Sequence, residues 1–133
     1  MSASSDEFAR LKLPAAQLKN LSQLGYTSMT PIQQQSLPLI LEGRDVIGRA
    51  KTGSGKTCAF ALGILKRIDV ERRVVQGLVI CPTRELAEQV TQEIRRLARA
   101  LPNLQCLTVC GGKAFGPQKK SLEKGAHIVV GTP

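Results

Sequence analysis

The chain of 133 residues, 42% of them hydrophobic, has the length and apolar content of one globular core. Its 19 Lys and Arg against 10 Asp and Glu leave a formal charge of +9. That charge suits polyanionic partners, although the doublets Arg72-Arg73, Arg95-Arg96 and Lys119-Lys120 are short and scattered enough to be only a solubilising surface. Aromatic residues at 3% are too few for a platform on which bases stack, so nucleic-acid contact is expected to run through phosphates.

At the N-terminus, MSASSDEFARLKLP lacks a basic segment followed by an apolar run, and no stretch of about 18 apolar residues occurs anywhere. Secretion and a membrane partner are therefore not expected, and a cytoplasmic protein is. PAAQLKNLSQLG predicts a first helix, with Leu18, Leu21 and Leu24 at helical spacing and Gly25 as its stop. TPIQQQSLPLILEG predicts a second, with Thr30 as N-cap, Pro31 at the first helical position and Gln33 completing a capping box; Pro38 should kink it and Gly43 end it.

DVIGRA reads as a short strand running into a glycine-rich loop, and KTCAFALGILKRI as the helix that leaves it. GLVICPT follows as a strand. RELAEQVTQEIRRLARAL is amphipathic, with Leu86, Val90, Ile94, Leu97 and Leu101 on one face and Pro102 as its end. LQCLTVC and HIVVGT are two further β-rich runs, joined by GGKAFGPQKKSLEKGA, which carries a short helix. Strands rich in Val, Ile and Leu that alternate with helices predict an α/β fold, a parallel sheet flanked by helices. Cys58, Cys81, Cys106 and Cys110 form no C-x-x-C pair and His127 is the one histidine, so buried thiols are expected rather than a zinc site or a disulfide framework.

The loop AKTGSGKT, Ala50 to Thr57, departs from the phosphate-binding pattern G-x-x-x-x-G-K-[ST] at its first residue. In such a loop backbone N–H groups converge on phosphate oxygens and the following helix N-terminus adds partial positive charge. Gly53 and Gly55 would allow the backbone approach, Lys56 would reach the outer phosphates, and Thr57 would bind magnesium. Ala50 is one methyl larger than glycine and is tolerable wherever positive φ is not required. The loop alone could equally be a glycine-rich turn that ends in Lys-Thr; a strand before it and a helix after it favour phosphate.

Four further stretches stand in order around this loop: GYTSMTPIQ from Gly25 to Gln33 with Phe8 ahead of it, PTRELA from Pro82 to Ala87, the pair Gly111-Gly112, and the closing Thr132-Pro133. Together with AKTGSGKT they resemble the Q motif, motif I, motif Ia, the GG motif and the start of motif Ib of the DEAD-box RNA helicases. Motif I begins with alanine in that family. The resemblance covers nearly the whole chain. It implies a partial RecA-like P-loop domain over 1–133, with a Q-motif region at 1–43 and the P-loop α/β core at 44–133, truncated before the acidic D-E-A-D motif.

The resemblance implies ATP and Mg2+ as cofactors and RNA as partner. Gln33 would read adenine and Phe8 would pack near it. Thr27, Ala50, Lys51, Thr52, Gly53, Ser54, Gly55, Lys56 and Thr57 would surround the nucleotide, with Lys56 and Thr57 catalytic and Thr57 reaching the metal. Pro82, Thr83, Arg84, Gly111, Gly112, Thr132 and Pro133 would meet the RNA backbone. Each has a plainer rival: Gln33 as half of a capping box, Phe8 as an anchor, Pro82–Glu85 as an ordinary capped helix start.

LPAAQLKNLSQLGYTSMTPIQ, CPTRELAEQV and CGGKAFGPQ resemble the wording of a bacterial ribosome-assembly member, implying an RNA substrate in the large-subunit ribosomal RNA; a monomer is expected. The D-E-A-D motif and a second RecA-like domain with its arginine finger would lie beyond Pro133. The chain alone is therefore expected not to turn over ATP, and apolar surface around Val46 and Ile47 is expected to be exposed. Two other readings stay open: a basic nucleic-acid-binding module with an incidental glycine loop, and a P-loop NTPase acting on DNA.

Overall fold

The computed structural model describes residues 8–111 and 114–133; side-chain caps set the starts of two of its helices, at Thr30 and Thr83. The chain divides into two compact units, Met1–Arg67 and Ile68–Pro133.

In the first unit, α1 (Ala15–Gln23) gives way to Gly25 at φ +89°, the left-handed position that glycine takes without a Cβ clash. Leu21 is buried on its inner face beside two polar side chains, Gln17 and Asn20, and the Asn20 amide donates to Gln17 Oε1 at 3.3 Å. Helix α2 (Pro31–Leu41) starts at Thr30 with the capping box intact and runs on through Pro38. Gly43 follows at φ +91°. Helix α3 (Lys56–Arg67) packs against α2 so closely that a Cβ on Gly63 would lie 2.1 Å from Ile40 Cγ2. Lys66 Nζ donates to the Leu41 carbonyl at 3.1 Å, satisfying one of the acceptors that end α2. Leu37, Ala61, Leu62 and Leu65 fill the space between the two helices.

The segment expected to be a strand, Asp45–Ala50, is not one. It has no regular structure, and Ile47 is fully exposed. A strand satisfies its backbone only against a neighbour, and among the described residues of this unit no other strand exists to pair with it. The expected exposure of Val46 and Ile47 is observed.

In the second unit, β1 (Gly77–Ile80), α4 (Arg84–Leu97), β2 (Cys106–Val109), α5 (Phe115–Glu123) and β3 (Ile128–Gly131) follow in chain order. Among the described residues the sheet has the order β1-β3-β2 and is parallel throughout. The register aligns Val79, Val130 and Thr108 on one face. That face meets α4, where Thr108 Oγ1 and Thr91 Oγ1 are 2.6 Å apart and Ile94, Leu97, Ile128 and Val130 are buried. A Cβ on Gly131 would lie 2.6 Å from the Val109 carbonyl oxygen, so the β2–β3 crossing requires glycine there.

The stripe on α4 differs from the expected one at both ends. Ala87 is fully buried in the first turn while Leu86 is 38% exposed, and Leu101 lies beyond a short 3-10 turn (Ala98–Ala100) that ends the regular helix. The four cysteines are free and buried, as expected. Burial pushes the Cys106 thiol from the ordinary 9.0 up to about 11, outweighing the guanidinium of Arg95, which acts the other way; burial also raises Cys81. His127 is a structural clamp. Its Nδ1 accepts from the Gln105 amide at 3.0 Å, so Nε2 carries the proton and donates to the Val70 carbonyl at 2.9 Å.

Candidate functional site

The glycine loop lies wholly in the first unit, between the exposed segment 44–49 and α3. Gly53 at φ +80° and Gly55 at φ +89° turn the chain through the left-handed region twice within three residues. Ala50 does not share this need, because Asn103 is the one non-glycine residue at positive φ among the described residues. Alanine is therefore compatible with the position that opens the loop.

Gln33 is the hinge between this loop and α2. Its Oε1 accepts the Thr30 N–H at 2.9 Å, its own N–H donates to Thr30 Oγ1 at 3.4 Å, and its Nε2 donates to the Gly55 carbonyl at 3.2 Å. The side chain is 2% exposed. The capping box is thus made, and the same amide reaches across to the loop. A Cβ on Gly55 would lie 2.3 Å from Gln33 Nε2 and 3.1 Å from Thr30 Oγ1, so this tie depends on glycine at 55.

Lys56 Nζ turns back to donate to the Ala50 carbonyl, spanning the loop from its last turn to its first residue. Ser54 Oγ is buried and has no hydrogen-bond partner, the one such side-chain atom among the described residues. A buried hydroxyl without a partner is costly, and a ligand oxygen would relieve it. The first amides of α3 have no intrahelical acceptors. An ammonium group, an orphaned hydroxyl and a helix N-terminus converge on a loop whose glycines clear the backbone, and these donors fit a polyphosphate. Thr57 sits half-buried in the first turn of α3; Lys51, Thr52 and Thr27 are exposed. Phe8 is 3% exposed and stands edge-on to Tyr26, ring centroids 6.3 Å apart, so the anchoring role is present.

The second group of expected residues lies in the other unit. Thr83, extended at φ −131° and ψ 157°, accepts the Leu86 N–H at 3.2 Å as N-cap of α4. Pro82, Thr83 and Arg84 are exposed at that helix start, and Glu85 supplies a carboxylate in its first turn. Arg84 Nη1 lies 3.5 Å from the Gly111 carbonyl oxygen, across the turn that follows β2. Gly111 is exposed, whereas Gly112 lies outside the described residues. Thr132 and Pro133 continue from β3, half-buried and exposed respectively. Arg84 and Gly111 are brought together, and Thr132 and Pro133 follow the strand between β1 and β2.

Two residues in this region carry structure that the motifs did not mark. Arg95 Nε and Nη2 both donate to the Cys106 carbonyl, at 3.1 and 2.8 Å. Gln118 pairs with the backbone of Cys110. Gln118 ends the stretch CGGKAFGPQ, yet nothing in that wording assigned it a role, and Arg95 was only one of several charges on an amphipathic helix.

The sequence pattern of the DEAD/DEAH box helicases matches residues 30–133. The chain belongs to that family. Among curated relatives, this DEAD/DEAH box helicase chain is 60% identical over 121 residues to the ATP-dependent RNA helicase DbpA of Escherichia coli K12, an alignment covering 91% of this chain and 26% of that protein. It is similar in structure to a DEAD box protein from the hyperthermophile Methanococcus jannaschii, with a TM-score of 0.88 and 38% identity over 95% of this chain and 34% of that one. It is also similar to the RNA helicase Prp28 of Chaetomium thermophilum bound to ADP, with a TM-score of 0.84 and 38% identity over 93% of this chain and 31% of that one. The chain spans about a quarter of the length of the curated relatives it matches. The RecA-like α/β fold expected from the motifs is the fold these neighbours share.

Proposed function

We propose that this chain is the nucleotide-binding part, and one portion of the RNA-binding surface, of an ATP-dependent RNA helicase. The whole of 1–133 is read as a partial RecA-like domain, with its Q-motif region at 1–43 and its P-loop core at 44–133. The observation that carries the reading is the loop Ala50–Thr57, in which Gly53 and Gly55 hold positive φ, Ser54 Oγ is left without a partner and Gln33 ties the loop to α2.

MgATP, when bound, supplies the phosphoryl group whose hydrolysis drives RNA remodelling. Lys56, whose ammonium now bonds the Ala50 carbonyl, would neutralise charge on the outer phosphates, and the Thr57 hydroxyl would be the protein's ligand to Mg2+. The Gln33 amide, with a donor and an acceptor on one plane, has the pattern that distinguishes adenine from guanine, and its tie to Gly55 links that recognition to the phosphates. Phe8 and Thr27 border the same region. Pro82, Thr83, Arg84, Gly111, Gly112, Thr132 and Pro133 meet the RNA backbone, where hydroxyl, guanidinium and main-chain groups contact phosphate without reading sequence.

The wording shared with ribosome-assembly members supports large-subunit ribosomal RNA as the target of a monomeric, cytoplasmic enzyme. No described helix is long and apolar enough to cross a membrane.

The direct test is competition of ATP and GTP against fluorescent ADP, with Mg2+, on the folded chain. Preference for ATP, erased by Gln33→Ala, is the expected result; equal competition would remove adenine reading from Gln33. A folded chain that bound no nucleotide would leave the basic nucleic-acid module as the better account. In the intact protein, Lys56→Ala is expected to abolish RNA-stimulated ATPase, and wild-type turnover in that variant would refute the assigned role.

A further inference from the structure

Among the described residues, the Gln118 amide bonds the backbone at Cys110 and at Ala114, where β2 ends and α5 begins. Cys110 N–H donates to Gln118 Oε1 at 3.0 Å, while Gln118 Nε2 donates to the Cys110 carbonyl at 3.2 Å and to the Ala114 carbonyl at 3.2 Å. A single side chain thereby satisfies both backbone groups of the residue that follows β2, as an adjoining strand would. Helix α5, which carries Gln118, buries none of its residues. Apolar packing therefore does little to fix this helix, and the Gln118 amide is a polar tie from it to the end of β2.

Gly111 is the next residue along the chain, and its carbonyl faces Arg84 Nη1 at 3.5 Å. A Cβ at Gly111 would meet nothing within 4 Å, so the space on that side of its backbone is open. Gln118 thus holds the residue before Gly111, and the Gly111 carbonyl faces the guanidinium of Arg84.

We propose that Gln118 is a positioning residue for RNA-backbone recognition: by pinning Cys110 it fixes the main chain entering Gly111, so that the Gly111 amide and Arg84 present their donors to one run of phosphates. This rests on the reading of Arg84 and Gly111 as RNA contacts. A contact to phosphate is productive only if its donors are already in place, because ordering them on binding subtracts from affinity. Gln118 touches no RNA itself; it removes that ordering cost.

The experiment uses the intact protein, a fluorescent single-stranded RNA oligonucleotide for RNA affinity and fluorescent ADP for nucleotide affinity. Gln118→Ala is expected to weaken RNA binding on the order of tenfold, as the loss of two or three modest hydrogen bonds allows, and to leave ADP affinity unchanged. Gln118→Glu adds a readout that a merely structural role would not move. Its carboxylate can accept from Cys110 N–H but cannot donate to either carbonyl; protonated, it can donate again. RNA affinity of Gln118→Glu is therefore expected to recover towards wild type as pH falls towards the carboxyl range, about 4.3 in its ordinary setting, with no matching recovery in Gln118→Ala.

Wild-type RNA affinity in both variants would overturn the proposal, as would equal losses of RNA and ADP binding, or a Gln118→Glu pH profile parallel to wild type. Arg84→Ala separates the two levels. If it weakens RNA binding while the Gln118 variants do not, only the positioning role fails; if it has no effect, the RNA-contact reading fails and the proposal with it.

Discussion

Gly55 is the residue on which the glycine loop turns. Its φ of +89° and the 2.3 Å approach of a notional Cβ to Gln33 Nε2 set two separate demands, one of the backbone and one of space. An L-residue in the left-handed region costs roughly 1–2 kcal/mol before any clash is counted. Gly55→Ala is expected to lower the unfolding free energy by at least that amount and to reduce nucleotide affinity, measured by urea titration and fluorescent ADP. Ala50→Gly, at a position that does not need positive φ, is expected to leave nucleotide affinity nearly unchanged. Cys106 gives a prediction in pH. Its folded thiol titrates near 11 and its unfolded one near 9.0, so between those values the unfolded state alone has lost the proton. Stability is then unaffected below about pH 9 and falls as pH rises towards 11. Thiol-specific alkylation should follow the same window, slow in the folded chain at pH 8 and fast once it unfolds; rapid labelling of native Cys106 at pH 8 would contradict the buried thiol.

At the scale of elements, the helices announced themselves through chemistry contained in the helix. Thr30 with Gln33, Thr83 with the Leu86 amide, and Gly25 and Gly43 after the helix ends are local signals, and each appears where it was read. Thr83→Ala is expected to destabilise α4 by about 1 kcal/mol, shown as a lower urea midpoint with unchanged slope. Arg84→Ala in the intact protein is expected to weaken binding similarly across RNA sequences and to lower the salt slope by about one; a loss confined to one sequence would assign Arg84 to base reading instead. The strand at Asp45–Ala50 was legible as β-rich sequence and yet is not a strand, because β structure is satisfied by a partner and not by itself. Gln118 was missed for a related reason: its partners, Cys110 and Ala114, are backbone groups that any sequence provides.

Across the whole molecule, the apolar surface left open is large for a chain with so basic a composition. Ile47 is fully exposed in the first unit, and in the second Leu78 and Ile80, side by side on one face of β1, are 64% and 65% exposed. β1 also lies at an edge of the sheet, with β3 on one side. Exposed apolar faces beside an unpaired edge favour self-association. The isolated 133-residue chain is expected to self-associate in light scattering, and the double variant Ile47→Lys, Ile80→Lys to do so less; a monomeric wild-type sample with a cooperative unfolding transition would contradict this. The sequence by itself determined the helices, the parallel α/β pattern and the buried thiols, because caps and apolar periodicity act over a few residues. Only the tertiary structure decided that Gln33 closes on Gly55, that Arg84 faces Gly111 and that Gln118 clamps Cys110. Those contacts join residues 22, 27 and 8 positions apart, through backbone groups whose meeting depends on how the elements pack and not on which residues they contain.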